Sequence, residues 1–199
     1  MAFPFQQVFF PGIVFHELSH YLACVLVGVN VKEVKLFDPE EAFVRHGIPR
    51  AWQSPIISIA PFVIGTILGL ELLVFAAQSF ARMLPVSILF YWLGFSIILF
   101  SFPSKVDAMN TFNIVTASLK KRIVHGSIAS RFLWLLVSPL IFFPIVFLSG
   151  FFLLFDASSI LRFAWTIFLF VLSINSGFLS GTLAVLDSLL RGFFQWLFG

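Results

Sequence analysis

The sequence predicts an all-α polytopic membrane protein, with about five transmembrane helices and a short β-strand or hairpin after the first. Three observations predict it. Of the 199 residues, 60% are hydrophobic and 11% charged, where a soluble domain carries about 25% charged residues. Mean hydropathy is +1.05, and several apolar runs approach the ~20 residues needed to cross a bilayer. After the first run comes Val29 to Phe37, β-branched and punctuated by Lys32, Glu33 and Lys35. That pattern fits a strand better than another turn of helix.

Length and composition bound the rest. A chain of this size forms one bundle rather than two domains. The net charge of +3 is small, and the pI near 9.4 reflects bases flanking membrane segments, not a nucleic-acid surface. Cys24 is the single cysteine, so no intrachain disulfide forms, and it reads as a small apolar filler. The first residues, Met-Ala-Phe-Pro-Phe-Gln-Gln, lack a basic n-region. The first apolar run is therefore expected to be a permanent helix, not a cleaved signal.

Helix 1 is expected from about Val8 to Gly28, with Pro11 and Gly12 in its opening turns. A polar loop follows the strand from Asp38 to Ser54 and holds Arg45, His46 and Arg50. Helix 2 runs from about Pro55 to Gln78 and contains Pro61. Gly65 and Gly69, four apart, give it a small-residue face for close helix contact. Its Glu71 reads as a polar clamp. Helix 3 covers about Leu84 to Phe102, and Pro103 breaks it just before Asp107. Thr111 to Arg131, with Lys120, Lys121 and Arg122, reads as a basic headgroup-facing segment. Helix 4 covers about Phe132 to Phe155 and helix 5 about Ile160 to Leu186, with Asn175 to Gly177 mid-run. The aromatic tail from Asp187 to Gly199 reads as interfacial. Within this single membrane domain, residues 1–110 carry the candidate chemistry. Residues 111–199 supply the basic segment, helices 4 and 5, and the tail.

Charge sets the orientation. Every Lys and Arg except Arg82 and Arg162 falls on the side reached after helices 1, 3 and 5. The positive-inside rule places that side in the cytoplasm, with the N-terminus outside and the C-terminus cytoplasmic.

Helix 1 carries His16-Glu17-Leu18-Ser19-His20. On a helix the two imidazoles, four residues apart, share one face and can ligate one zinc ion. Glu17 can reach a metal-bound water and take its proton. Ionisable groups in an apolar run are costly and are usually functional. A purely structural polar cluster joining helices is the alternative. His20 lies roughly 12 Å inside the cytoplasmic end of helix 1. A catalytic zinc takes three protein ligands and a water. Asp107, His46, His125 and Glu71 are the candidates for the third. Asp107 is favoured, because helix 3 delivers it to the same side as His20 and an unwound segment after Pro103 can fold inward to a watery cavity. Otherwise Asp107 only caps the basic segment. Ser54, Ser58 and Asn110 are candidates to line a water path.

At these residues the chain resembles the site-2 protease family of intramembrane zinc metalloproteases, as a minimal and divergent member. Three pieces carry the resemblance: Val14 to Ala23 leading into Gly28-Val29-Asn30-Val31; Ala60-Pro61 in helix 2; and Pro103 to Asp107. It covers roughly residues 8 to 110. There are departures. Ala108 follows Asp107 where the family has Gly, Ser101 stands near the family's upstream Asn, and Ile64 near another. The resemblance implies a Zn2+ cofactor on His16, His20 and Asp107, and Glu17 as general base. It further implies hydrolysis of a peptide bond in or near a transmembrane segment of a membrane-protein substrate, in a prokaryotic plasma membrane. The Val29 to Phe37 strand then offers an edge to an unwound substrate. Three other readings compete. A non-proteolytic zincin-like scaffold or pseudoprotease would keep the core without cleavage. A di-iron oxygenase needs more histidines than the four present. A transporter using Glu71 and Asn175 leaves the Glu17 spacing unexplained.

Overall fold

The computed structural model describes residues 5–38, 42–80 and 84–174. Arg82, Arg191, Asn175 to Gly177, the later part of expected helix 5 and the aromatic tail lie outside the described residues. The described chain is mostly helical, with one two-stranded sheet. A short α1 (Phe5–Val8) leads into α2 (Phe10–Leu26). β1 (Val31–Lys35) and β2 (Phe43–His46) follow. The remaining helices are α3 (Gln53–Ser79), α4 (Leu84–Leu99), α5 (Lys105–His125), α6 (Ile128–Ala157) and α7 (Ser159–Ile174).

α2 stops two residues before the expected Gly28. Gly28 takes a left-handed φ of 73°, which lets the Val29 N–H bond back to the Cys24 carbonyl at 2.8 Å. Such a glycine ends a helix and turns the chain sharply. The chain then enters an antiparallel hairpin in which Val34 faces Val44 and Lys35 faces Phe43. Its second strand, β2, lies inside the stretch expected to be a polar loop.

α3 and α4 pack closely through small residues. A Cβ added at Gly65 would sit 2.7 Å from the Ser101 Cβ, and one at Gly94 would sit 2.9 Å from the Gly69 carbonyl oxygen. The small-residue face expected on helix 2 is therefore in use. α2 lies along α4 just as closely. The Gly12 N–H donates to Ser96 Oγ at 2.8 Å, and Ser96 Oγ donates to the Phe9 carbonyl at 2.7 Å. A Cβ at Gly12 would collide with the Ser96 backbone. α7 closes this group: Leu169 packs with Leu73 of α3 and Ile98 of α4.

One expectation fails at the junction after α4. The chain is not unwound through Asp107. It bends over residues 100–104 and starts α5 at Lys105. Thr111 to Arg131, expected as a basic headgroup-facing segment, is helical as far as His125 because α5 runs through it. Ala108, Thr111, Val115 and Leu119 are its buried residues, at the three- and four-residue steps of one helix face. That face packs against α6, through Val115 and Leu119 with Ile145, and Ala108 with Phe152.

α3 and α6 are long and apolar enough to cross a membrane. Only 11% of the most apolar window of α6 is buried against the rest of the chain, and Phe132, Leu136, Leu140, Phe143 and Phe147 are exposed along it.

Candidate metal centre

Three elements meet at one point. α2 brings His16 and His20, one turn apart and edge to face, with ring centroids 4.8 Å apart. The first turn of α5 brings Asp107. His20 Nε2 lies 3.2 Å from His16 Nε2 and 3.4 Å from Asp107 Oδ2, and His16 Nε2 lies 3.9 Å from the same oxygen. Among the described residues these three side chains form the group whose ligand atoms converge and could hold a metal ion.

Both rings are oriented from behind by backbone carbonyls. His16 Nδ1 donates to the Phe100 carbonyl at 2.7 Å, and His20 Nδ1 donates to the Ile57 carbonyl at 2.9 Å. Each acceptor is available for a local reason. Phe100 follows the last residue of α4, where carbonyls have no partner within the helix. Ile57 lies inside α3, and its helical partner would be the N–H of residue 61. That residue is proline and has no N–H. Pro61 thus frees the Ile57 carbonyl for His20.

The hydrogen bonds decide where the lone pairs point. With the proton on Nδ1, a neutral imidazole presents an acceptor at Nε2. Two such acceptors and a carboxylate oxygen then face one another, an arrangement that repels unless a metal cation, or a proton on one imidazole, lies between them. Metal–ligand bonds of about 2.0–2.2 Å at tetrahedral angles place neighbouring donor atoms about 3.3–3.5 Å apart. The observed 3.2 and 3.4 Å match that edge, and 3.9 Å is somewhat longer. The donor set fits a small, borderline-soft cation.

Asp107 is also held in place. Ser104 and Asp107 form a capping box: the Ser104 N–H and Oγ–H donate to Asp107 Oδ2 at 2.9 and 2.7 Å, and the Asp107 N–H donates to Ser104 Oγ at 3.3 Å. Capping and facing the histidines, set against each other as alternatives in the sequence, are both features of this one carboxylate. Glu17 is half-buried on the next step of α2, and the backbone of Val44 in β2 lies against its carboxylate. The hairpin therefore covers the acid that the motif offers as a base.

A cavity of about 240 Å³ opens beside Asp107. Ser54 and Ser58 of α3 line it, with Asn110 and Thr111 of α5 and His46 at the end of β2. The Ser54 and Thr111 hydroxyls satisfy each other at 3.0 Å. Ser58, 7% exposed, and Asn110 have no hydrogen-bond partner among the described residues. All three residues expected to line a water path border this space.

The remaining candidates separate cleanly. His46 borders the cavity but stands outside the three-atom group, with Nδ1 donating to the Gly47 carbonyl at 2.7 Å. Glu71 and His125 also stand outside it. Cys24 is buried in an apolar cluster with Ala23, Val29, Ile57 and Ala60, as a filler would be. Sequence reasoning missed the Phe100 and Ile57 carbonyls, Ser104 and Thr111. Two signals were present: Pro61 four residues after Ile57, and the Ser-x-x-Asp capping pattern of Ser104 to Asp107.

Comparison with protein-family models, with curated proteins and with solved structures finds no match to this chain.

Proposed function

We propose that this chain is an intramembrane zinc metalloprotease that hydrolyses a peptide bond in or near a transmembrane segment. The observation that carries the reading is the convergence of His16 Nε2, His20 Nε2 and Asp107 Oδ2 beside Glu17.

The membrane part rests on α6. A 30-residue apolar helix with most of its surface uncovered needs an apolar surrounding, and a bilayer supplies one. The chain is multi-pass in this reading. Arg50, after the hairpin, and Arg122, near the end of α5, line one crevice at a basic end, although Arg162, expected on the opposite side from Lys105, pairs with Asp156 beside the Lys105 N–H. That basic end faces the cytoplasm.

Two imidazoles and a carboxylate are a donor set that catalytic zinc uses. Zinc bound there would lower the pKa of a water toward about 7 and polarise the scissile carbonyl. His16 and His20 hold their Nε2 atoms in place through the carbonyls of Phe100 and Ile57. Glu17 takes the proton of the attacking water and passes it to the leaving amine. The substrate helix must unwind, because its carbonyls are otherwise hydrogen-bonded. The two-stranded sheet leaves an outer edge where an extended segment can add. Ser58 and Asn110 offer unpartnered polar groups to its backbone or to water.

The test is hydrolysis of a tagged transmembrane peptide by the purified chain in lipid vesicles, with products read by mass spectrometry. Cleavage at one site, lost on chelation and restored by zinc, is the expected outcome. Cleavage that survives chelation would contradict it. A folded, zinc-bound chain that cuts no membrane substrate would favour the scaffold reading instead.

A further inference from the structure

We infer that the crevice between the start of α3 and the α5–α6 hairpin binds an anionic lipid, phosphate at its rim and acyl chain along its wall. This inference rests on the membrane reading but not on the protease reading. The crevice has a volume of about 710 Å³. Its wall is apolar, with Val115 and Leu119 of α5 and Ile145 of α6, each under 10% exposed. Its rim carries Arg50, Trp52, Arg122 and Trp134. The Arg122 guanidinium lies 4.4 Å from the centre of the Trp134 ring, which fixes the cation at the mouth. No acidic residue lines the space, and neither Arg50 nor Arg122 has a carboxylate partner among the described residues.

Two guanidiniums without a counter-ion match a phosphate, because their N–H forks pair with its oxygens. A small soluble anion would leave the apolar wall uncovered. A zwitterionic lipid would bring its own cation to a rim already doubly positive. The indoles of Trp52 and Trp134 belong at headgroup level, where one end of the ring is apolar and the other wet. The occupant also bridges α3 to α5, which otherwise hydrogen-bond through Ser54 and Thr111.

The test is native mass spectrometry of the full chain released from detergent containing phosphatidylglycerol or phosphatidylcholine of the same acyl chains. Wild type is expected to retain phosphatidylglycerol roughly tenfold or more over phosphatidylcholine. The double variant Arg50→Gln/Arg122→Gln is expected to lose roughly 30-fold in retention. Equal retention of the two lipids, or preference unchanged in the double variant, would overturn the proposal. Displacement of the lipid by millimolar inorganic phosphate would also overturn it, by reducing the site to one for free phosphate. Should the double variant fail to fold, wild type alone decides. Acyl-brominated phosphatidylglycerol at a trace fraction must then quench the tryptophans more than brominated phosphatidylcholine does.

Discussion

Replacing Glu17 with Gln is expected to lower the proposed peptide-bond hydrolysis by about 10²–10⁴-fold and to leave metal binding intact. Gln has nearly the shape of Glu but cannot take a proton, so the substitution removes general-base catalysis alone. Glu17 is not one of the three converging donors, and the Nε2 atoms of His16 and His20 keep their carbonyl partners. Vesicle assays of wild type and Glu17→Gln, with zinc measured on the same preparations, separate the two effects. Undiminished cleavage in the variant would remove Glu17 from the chemistry. Loss of cleavage together with the metal would show that Glu17 holds the site rather than using it.

Pro61→Ala is expected to weaken metal binding by about 10–100-fold without lowering the stability of the metal-free fold. Alanine restores an N–H at position 61, and the nearest acceptor for it is the Ile57 carbonyl, four residues back along α3. That carbonyl now serves His20 Nδ1. Once the helix shares that oxygen, the bond that sets the ring's tautomer and orientation is weakened and redirected. Changes to such supporting groups cost about 10–100-fold in affinity. The helix meanwhile gains a hydrogen bond and loses a residue that disfavours helix interiors by about 3 kcal/mol, which offsets the packing lost with the fully buried Pro61 ring. Metal affinity and stability should therefore move apart. Chelator competition measures the first and thermal melting of the metal-free chain the second. Unchanged affinity would mean that freeing the Ile57 carbonyl with Pro61 is not what positions His20.

The parts of this site that were legible in the sequence are those fixed by one helix. His16, Glu17 and His20 needed only the 3.6-residue period to share a face. Asp107 was reachable through Pro103, which lies in the bend between α4 and α5, but the reason given was incomplete: the carboxylate is presented from a capped first turn of α5, not from unwound chain. α5 itself was obscured by Lys120, Lys121 and Arg122, although its buried face from Ala108 to Leu119 keeps helical steps. β2 was too short, and too charged at Arg45 and His46, to stand out from a loop. The orienting carbonyls of Phe100 and Ile57 belong to the backbone. No side-chain pattern announces them, and only the packing of α2 against α3 and α4 brings them to the rings. Gly12 shows the same limit: it reads as a kink at a helix start, yet it is where α2 touches the backbone of α4 at Ser96.

The most direct test of the central claim is zinc content per chain, measured on detergent-purified wild type and Asp107→Ala side by side. The account predicts about one zinc in the wild type and far less in the variant, because a catalytic zinc site needs three protein ligands and the variant keeps two of the three converging donors. A folded wild type that takes up no zinc would contradict the account outright. Equal zinc in both would leave a metal on His16 and His20 but take Asp107 out of its coordination.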